Sequence, residues 1–227
     1  MPKIKKELIQ YKGEDKEIIR KKIIETINKE YEKDPTTTFL DLFGEGESYN
    51  QVRKETKARI LSIDNNPTIA KKMRTLPDTR FISIYDLCIE ARESFNVMYL
   101  DYCGILKEGG DIEKDLMVLP NIMKDKGVLF LTLSMRDIDY DKGTDRHMME
   151  RAIVSTIAHD FMINKVKIER MYTAKYKSFA TIKGKRKKGN YTPMKVYKFL
   201  WEKVIERIDT IPFKFDDTLI LPTDITD

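Results

Sequence analysis

In Thr38-Phe-Leu-Asp-Leu-Phe-Gly-Glu-Gly-Glu-Ser48 an apolar, strand-like run stops abruptly, turns through two closely spaced glycines and enters a polar, helix-compatible segment. Glycines at such a turn let the backbone approach a bound ligand where a Cβ would obstruct it. Three further strand-like runs end on an acidic residue: Asp64, Asp86 and Asp101. Strands with acidic tips alternating with helices imply an α/β sheet whose ligands gather at the carboxyl ends of the strands.

The 227 residues suffice for one such domain with a sizeable core. Charged residues make up 35% and hydrophobic ones 41%, and no apolar run reaches the roughly 20 residues of a membrane-spanning helix. The opening Met-Pro-Lys-Ile-Lys-Lys lacks the apolar core of a signal peptide. Two cysteines, Cys88 and Cys103, are too few for a disulfide scaffold or zinc cluster. Neither histidine has metal-ligand spacing, and His159 on a helix reads as a packing or surface residue. These features predict a cytoplasmic protein without a metal. The net charge of +5 is mild, so its distribution matters more than its sum.

Residues 14 to 33 place Ile18, Ile19, Ile23, Ile24, Ile27 and Tyr31 at helical spacing, and Asp34-Pro35 ends that helix. Strands are predicted at 39–43, 59–63, 81–85, 96–100 and 128–133, the last preceded by Gly127. Helices are expected from Pro67 to about Leu76, from Asp111 to Lys124 with a break at Pro120, and over 144–162. Residues 166–172 and 194–201 then read as two strands with no helix between them, an antiparallel pair joined by a long basic loop. The expected fold is a doubly wound, mostly parallel seven-stranded sheet with helices on both faces, closed by that pair. Residues 1–35 form a helical extension packed on the main domain, 36–215 the domain itself, and 216–227 an acidic tail.

This order of elements resembles the class I S-adenosylmethionine-dependent methyltransferases over roughly residues 36 to 205. The family's first motif is an acidic residue followed by alternating glycines, here Asp41-Leu-Phe-Gly44-Glu-Gly46-Glu-Ser48. Asp41 stands one residue farther from Gly44 than in the family, and Ser48 replaces the third glycine. The resemblance implies that Asp41 approaches the methionine ammonium while the backbone of Phe43, Gly44, Glu45 and Gly46 lines the cofactor. Asp64, about 20 residues beyond the glycines and followed by Asn65, can accept both hydrogen bonds of a ribose diol. It serves equally as an Asx turn or helix cap before Pro67. Asp86 matches the place where the family contacts the adenine amino group, with the backbone N–H and side chain of Leu87 on the ring; a helix cap is the alternative. Dinucleotide binding is disfavoured because Tyr49 stands where a third glycine belongs.

The resemblance makes Asp101-Tyr102-Cys103-Gly104 the reaction centre. Asp-Tyr-Cys-Gly is similar at its first and last positions to the Asp-Pro-Phe-Gly of tRNA guanine-N2 methyltransferases, and lacks the proline. A carboxylate accepting an N–H bond can localise an amine lone pair and take up its proton, and Tyr102 could stack on a base or simply pack. Ribose oxygen methylation ranks lower: Asp101 and Glu169 could contribute, but Ser134-Met135-Arg136 lacks the expected lysine. Cys103 reads as a small buried thiol rather than a nucleophile. In Lys183-Gly-Lys-Arg-Lys-Lys188, five of six residues are basic (Lys183, Lys185, Arg186, Lys187, Lys188) among flanking aromatics. That pattern suits phosphates and unpaired bases. The reading is an S-adenosylmethionine-dependent methyltransferase acting on RNA or DNA, with a base amine as acceptor. Its rivals are a methyltransferase for a small molecule or protein, and a non-catalytic nucleic-acid-binding protein on the same fold.

Overall fold

The computed structural model describes residues 14–44, 46–102, 104, 106, 109–134, 153–157, 163–172, 175–176, 181–182, 185–186 and 192–203. Helix α1 (Glu14–Lys33) leads into β1 (Thr38–Leu42), α2 (Glu47–Glu55) and β2 (Arg59–Asp64). One turn of helix, α3 (Ala70–Met73), precedes β3 (Thr79–Phe81), α4 (Ile84–Glu90) and β4 (Phe95–Asp101). Then come α5 (Asp111–Val118), a 3₁₀ turn (Leu119–Ile122) and β5 (Met123–Ser134). A helical turn, α6 (residues 153–157), is followed by β6 (Ile163–Tyr172), β7 (Lys175–Tyr176), β8 (Thr181–Ile182), β9 (Lys185–Arg186) and β10 (Thr192–Lys203).

The sheet runs β3-β2-β1-β4-β5-β10-β6. β1 through β5 are parallel, and β10 lies antiparallel between β5 and β6. A mostly parallel sheet closed by an antiparallel pair is what the sequence predicts; β7 makes it eight strands rather than the expected seven. β7 also pairs with β10, and β8 with β9 forms a separate hairpin inside the stretch read as one basic loop. Strand order reverses between β1 and β4, so the loops after these two strands diverge and leave a crevice at their carboxyl ends.

Both faces of the central strands are covered, which is why they read as continuous apolar runs rather than alternating ones. On one face Leu40, Met98, Leu100 and Leu131 pack with Leu87 of α4, Leu116 of α5 and Ile153 of α6. On the other, Phe39, Val97, Tyr99 and Phe130 pack with Ile19, Ile23 and Ile27 of α1 and Val52 of α2. Helix α1 therefore belongs to the same core as the sheet.

Three expectations need correction. The Phe81-Ile-Ser-Ile-Tyr85 run is not a strand: β3 ends at Phe81, and Ser83 caps α4. The Ser83 hydroxyl accepts the Asp86 N–H at 3.0 Å and donates to the Asp86 carboxylate at 2.6 Å, a reciprocal cap that outweighs β propensity. Ser83→Ala is expected to cost about 1 kcal/mol in chemical denaturation. After Pro67 only α3 is helical, because Asn66 accepts from the backbone and hydroxyl of Thr68 in a competing turn. Finally, Gly127 lies inside β5, opposite Trp201, rather than ahead of it. Residues 1–13 and 216–227 lie outside the described residues, as do Met148 and Phe161 of the expected 144–162 helix.

Candidate active site

Asp41 ends the buried part of β1, in register with Ser62 of β2 and Tyr99 of β4. Its carboxyl is fully buried; one oxygen accepts the Ser62 hydroxyl, while Oδ2 has no partner among the described residues. Burial pushes this carboxyl up to about 7, and the nearby charges of Asp101 and Asp64 push the same way against the pull of Ser62. An unpaired buried acceptor of this kind is costly unless something donates to it.

The chain leaves β1 through Phe43, whose N–H donates to Ile63 O at 2.8 Å and whose carbonyl accepts Gly46 N–H at 2.7 Å. Gly44 and Gly46 have φ of +48° and +78°, backbone that favours glycine. A Cβ on Gly46 would meet the Phe43 ring at 2.7 Å, whereas a Cβ on Gly44 would meet nothing within 4 Å. Gly46 thus packs the turn onto Phe43, and Gly44 faces open space. The Phe43 side chain belongs to the core, against Tyr49, so only its backbone reaches the loop. Glu45 lies outside the described residues.

Asp64, at the tip of β2, accepts Gly44 N–H on Oδ2 at 3.0 Å and Asn66 N–H on Oδ1 at 2.8 Å. The Asx turn foreseen before Pro67 is therefore present, and the same carboxylate also pins the glycine loop. Burial raises this carboxyl despite those bonds. Each of its oxygens can still accept a further donor. Asn65 is exposed beside it.

Asp86 and Leu87 do not stand at a strand tip. Asp86 is tied to Ser83 in the first turn of α4, while Leu87 is buried in the core and its N–H donates to Ser83 O. The residue that follows β3 is Ile82, which sequence reading missed because strand three was extended through it. Leu42, Ile82, Tyr102 and Leu106 are partly buried apolar residues on the α4–α5 side; Leu42 ends β1, Ile82 follows β3, and the other two follow β4.

Asp101 ends β4, in register with Thr132 of β5. Its Oδ2 pairs with the Lys16 ammonium of α1 at 3.0 Å, and its Oδ1 is buried without a partner among the described residues, as is the Thr132 hydroxyl. Tyr102 turns away: its N–H donates to Thr132 O, its ring packs on the core, and its hydroxyl donates to Asp115 at 2.7 Å. Burial and the Asp115 charge hold the phenol well above its usual pKa. The stacking role expected for Tyr102 is therefore replaced by anchoring of the β4 end to α5. Lys16 was not foreseen. Arg20, one turn on, pairs with Glu47 at 2.8 Å, so α1 is clamped onto both the β4 tip and the start of α2.

Lys185 and Arg186 form β9, while Lys183, Lys187, Lys188, Cys103, Met135, Arg136 and His159 lie outside the described residues. Among the described residues no helix is long and apolar enough to cross a membrane.

No protein-family model matches the chain, and no curated protein matches its sequence. Solved structures do match its fold. TYW2 of M. jannaschii, solved in complex with AdoMet, aligns over 85% of this chain and 78% of its own, at 12% identity and a TM-score of 0.51. A SAM-dependent methyltransferase from Agrobacterium tumefaciens aligns over 84% and 63%, at 14% identity and a TM-score of 0.52. The chain has the α/β fold of the class I S-adenosylmethionine-dependent methyltransferases. At these identities the likeness is one of fold.

Proposed function

We propose that this protein is an S-adenosylmethionine-dependent methyltransferase acting on RNA or DNA, with a base amine as acceptor. One observation carries the reading: among the described residues, Asp41 Oδ2 and Asp101 Oδ1 are buried acceptors without donors beside the point where strand order reverses. Such a pair calls for incoming N–H groups. Asp41 fits the ammonium of the cofactor, the open backbone at Gly44 its methionine part, and Asp64 its ribose hydroxyls. Ile82, Leu42 and Leu106 offer an apolar seat for adenine in place of Asp86 and Leu87.

The cofactor supplies a methyl group made electrophilic by its sulfonium. This chain supplies position and proton acceptance. Asp101 Oδ1 accepts an N–H of the acceptor, which localises the amine lone pair, and then takes its proton. The Tyr102 N–H bond to Thr132 and the Tyr102–Asp115 bond keep the β4 tip from drifting.

The nucleic-acid part of the reading is supported by topology. β6 ends at Tyr172, paired with Val196, and β10 pairs Met194 with Ser134 at the carboxyl end of β5. The basic segment between β6 and β10 therefore leaves and re-enters the sheet at the same end as Asp41, Asp64 and Asp101. Lysines and arginines there would neutralise phosphates.

The test is calorimetric titration with S-adenosylmethionine beside Asp64→Ala. Wild type should bind, and the variant should bind at least about tenfold more weakly, a loss of about 1.4 kcal/mol. Absence of binding by folded wild type would sink the enzyme reading. Labelled-methyl transfer to RNA and DNA follows, and RNA affinity that does not fall with salt would remove the nucleic-acid part.

A further inference from the structure

Lys16 has no part in the chemistry above, yet it stands on the residue assigned to the acceptor. Its ammonium lies 3.0 Å from Asp101 Oδ2, with side chains 16% and 20% exposed. Asp41 and Asp64 are the other carboxylates of this corner, and the charges of Asp64 and Asp101 both act on Asp41. A ligand carrying an α-amino acid brings an ammonium and a carboxylate together. The ammonium suits Asp41, but the carboxylate would enter among three carboxylates of its own sign. It needs a cation there. Arg20 is engaged by Glu47 at 2.8 Å and Glu17 at 3.8 Å.

We infer that Lys16 pairs with the carboxylate of the cofactor's amino-acid end, so that the corner recognises a zwitterion: Asp41 for its positive group, Lys16 for its negative one. This rests on the cofactor reading above. Both residues flank Asp101, Asp41 by its field and Lys16 by direct contact. An ammonium has three donors, so it can hold Asp101 and a ligand carboxylate together. Its place is fixed by the helix. Ile19 and Ile23, on the next turns of α1, are buried against the sheet, so Lys16 cannot drift from the β4 tip without unseating them. Holding Asp101 Oδ2 also leaves Oδ1 as the oxygen offered to the acceptor.

The test compares S-adenosylmethionine with its decarboxylated form, which keeps nucleoside, sulfonium and ammonium but lacks the carboxylate. Wild type, Lys16→Met and Lys16→Arg are each titrated with both. Wild type should prefer S-adenosylmethionine by roughly tenfold or more, as a charge-assisted contact warrants. Lys16→Met should lose that preference by losing affinity for the carboxylated form alone, and Lys16→Arg should retain most of it. Unchanged affinity for the decarboxylated form also reports that the variant is folded. Equal weakening of both ligands in Lys16→Met, or no preference in wild type, would overturn the inference while leaving the cofactor site intact. Failure of wild type to bind either ligand would remove the cofactor reading and this inference with it.

Discussion

Asp41→Asn is expected to stabilise the ligand-free protein at pH 8 by about 2–4 kcal/mol while weakening S-adenosylmethionine binding at least tenfold. The two effects share one cause. Asp41 is fully buried, and burial raises its carboxyl from 3.8 to about 7. In the unfolded chain the proton leaves near its ordinary value; in the folded chain it stays until near neutrality. The folded state therefore binds more protons between these limits, and stability falls as pH rises from about 4 to about 7. Above that window the full cost stands, at roughly 4 kcal/mol for so large a displacement. Asparagine carries no charge to desolvate. The gain should shrink to well under about 1 kcal/mol near pH 4 and vanish below about pH 3, where aspartic acid is neutral in both states. Asp64 and Asp115 are displaced upward by burial as well, so a weaker slope of the same sign should persist in the variant. Urea denaturation at pH 4 and pH 8 measures this directly. A variant no more stable than wild type at pH 8 would mean that the Asp41 charge is already compensated. The loss of binding would follow because an amide cannot neutralise an ammonium.

Most of the fold was legible because strand–helix alternation and acidic strand tips are local signals. Asp64 and Asp101 stand where their runs end, and the Gly44–Gly46 turn follows β1 as its spacing implies. The misplacement of Asp86 and Leu87 has a definite cause. Residues 81–85 are β-branched or aromatic apart from Ser83, a strand-like composition, but Ser83 three positions before Asp86 makes a cap. Reading the cap first would have ended the strand at Phe81 and exposed Ile82. Tyr102 was ambiguous because an aromatic after a strand tip can turn either way. Its direction is set by Asp115, which lies on another element. Lys16 could not be singled out at all. It is one of 42 basic residues, and its partner Asp101 is distant in the chain, so only the packing of α1 across the sheet brings them together.

Gly127→Ala is expected to cost about 3 kcal/mol or more, beyond what its single added methyl suggests. A strand-interior glycine is ordinarily a weak point, and alanine there should help slightly. Here the added Cβ would lie 2.2 Å from the backbone oxygen of Asn96 and 2.3 Å from the Trp201 ring. Neither neighbour yields cheaply. The Asn96 side chain accepts Thr38 N–H at 2.8 Å and donates to Thr37, holding β4 beside the start of β1. Trp201 is buried, and its indole N–H donates to Lys124 O at 2.8 Å across the β5–β10 ladder. The clash must therefore push β5 away from β4 or β10 away from β5. Since β5 carries Thr132 beside Asp101 at its far end, S-adenosylmethionine affinity should fall with stability rather than independently of it. A double-mutant cycle separates the two obstacles. Trp201→Phe removes the ring atoms that the Cβ would meet but leaves the Asn96 carbonyl in place. If the indole is the main obstacle, Gly127→Ala should cost much less in the Trp201→Phe background. An unchanged cost would assign the constraint to the β4 backbone, and with it the close approach of the two strands that end at Asp101 and Ser134.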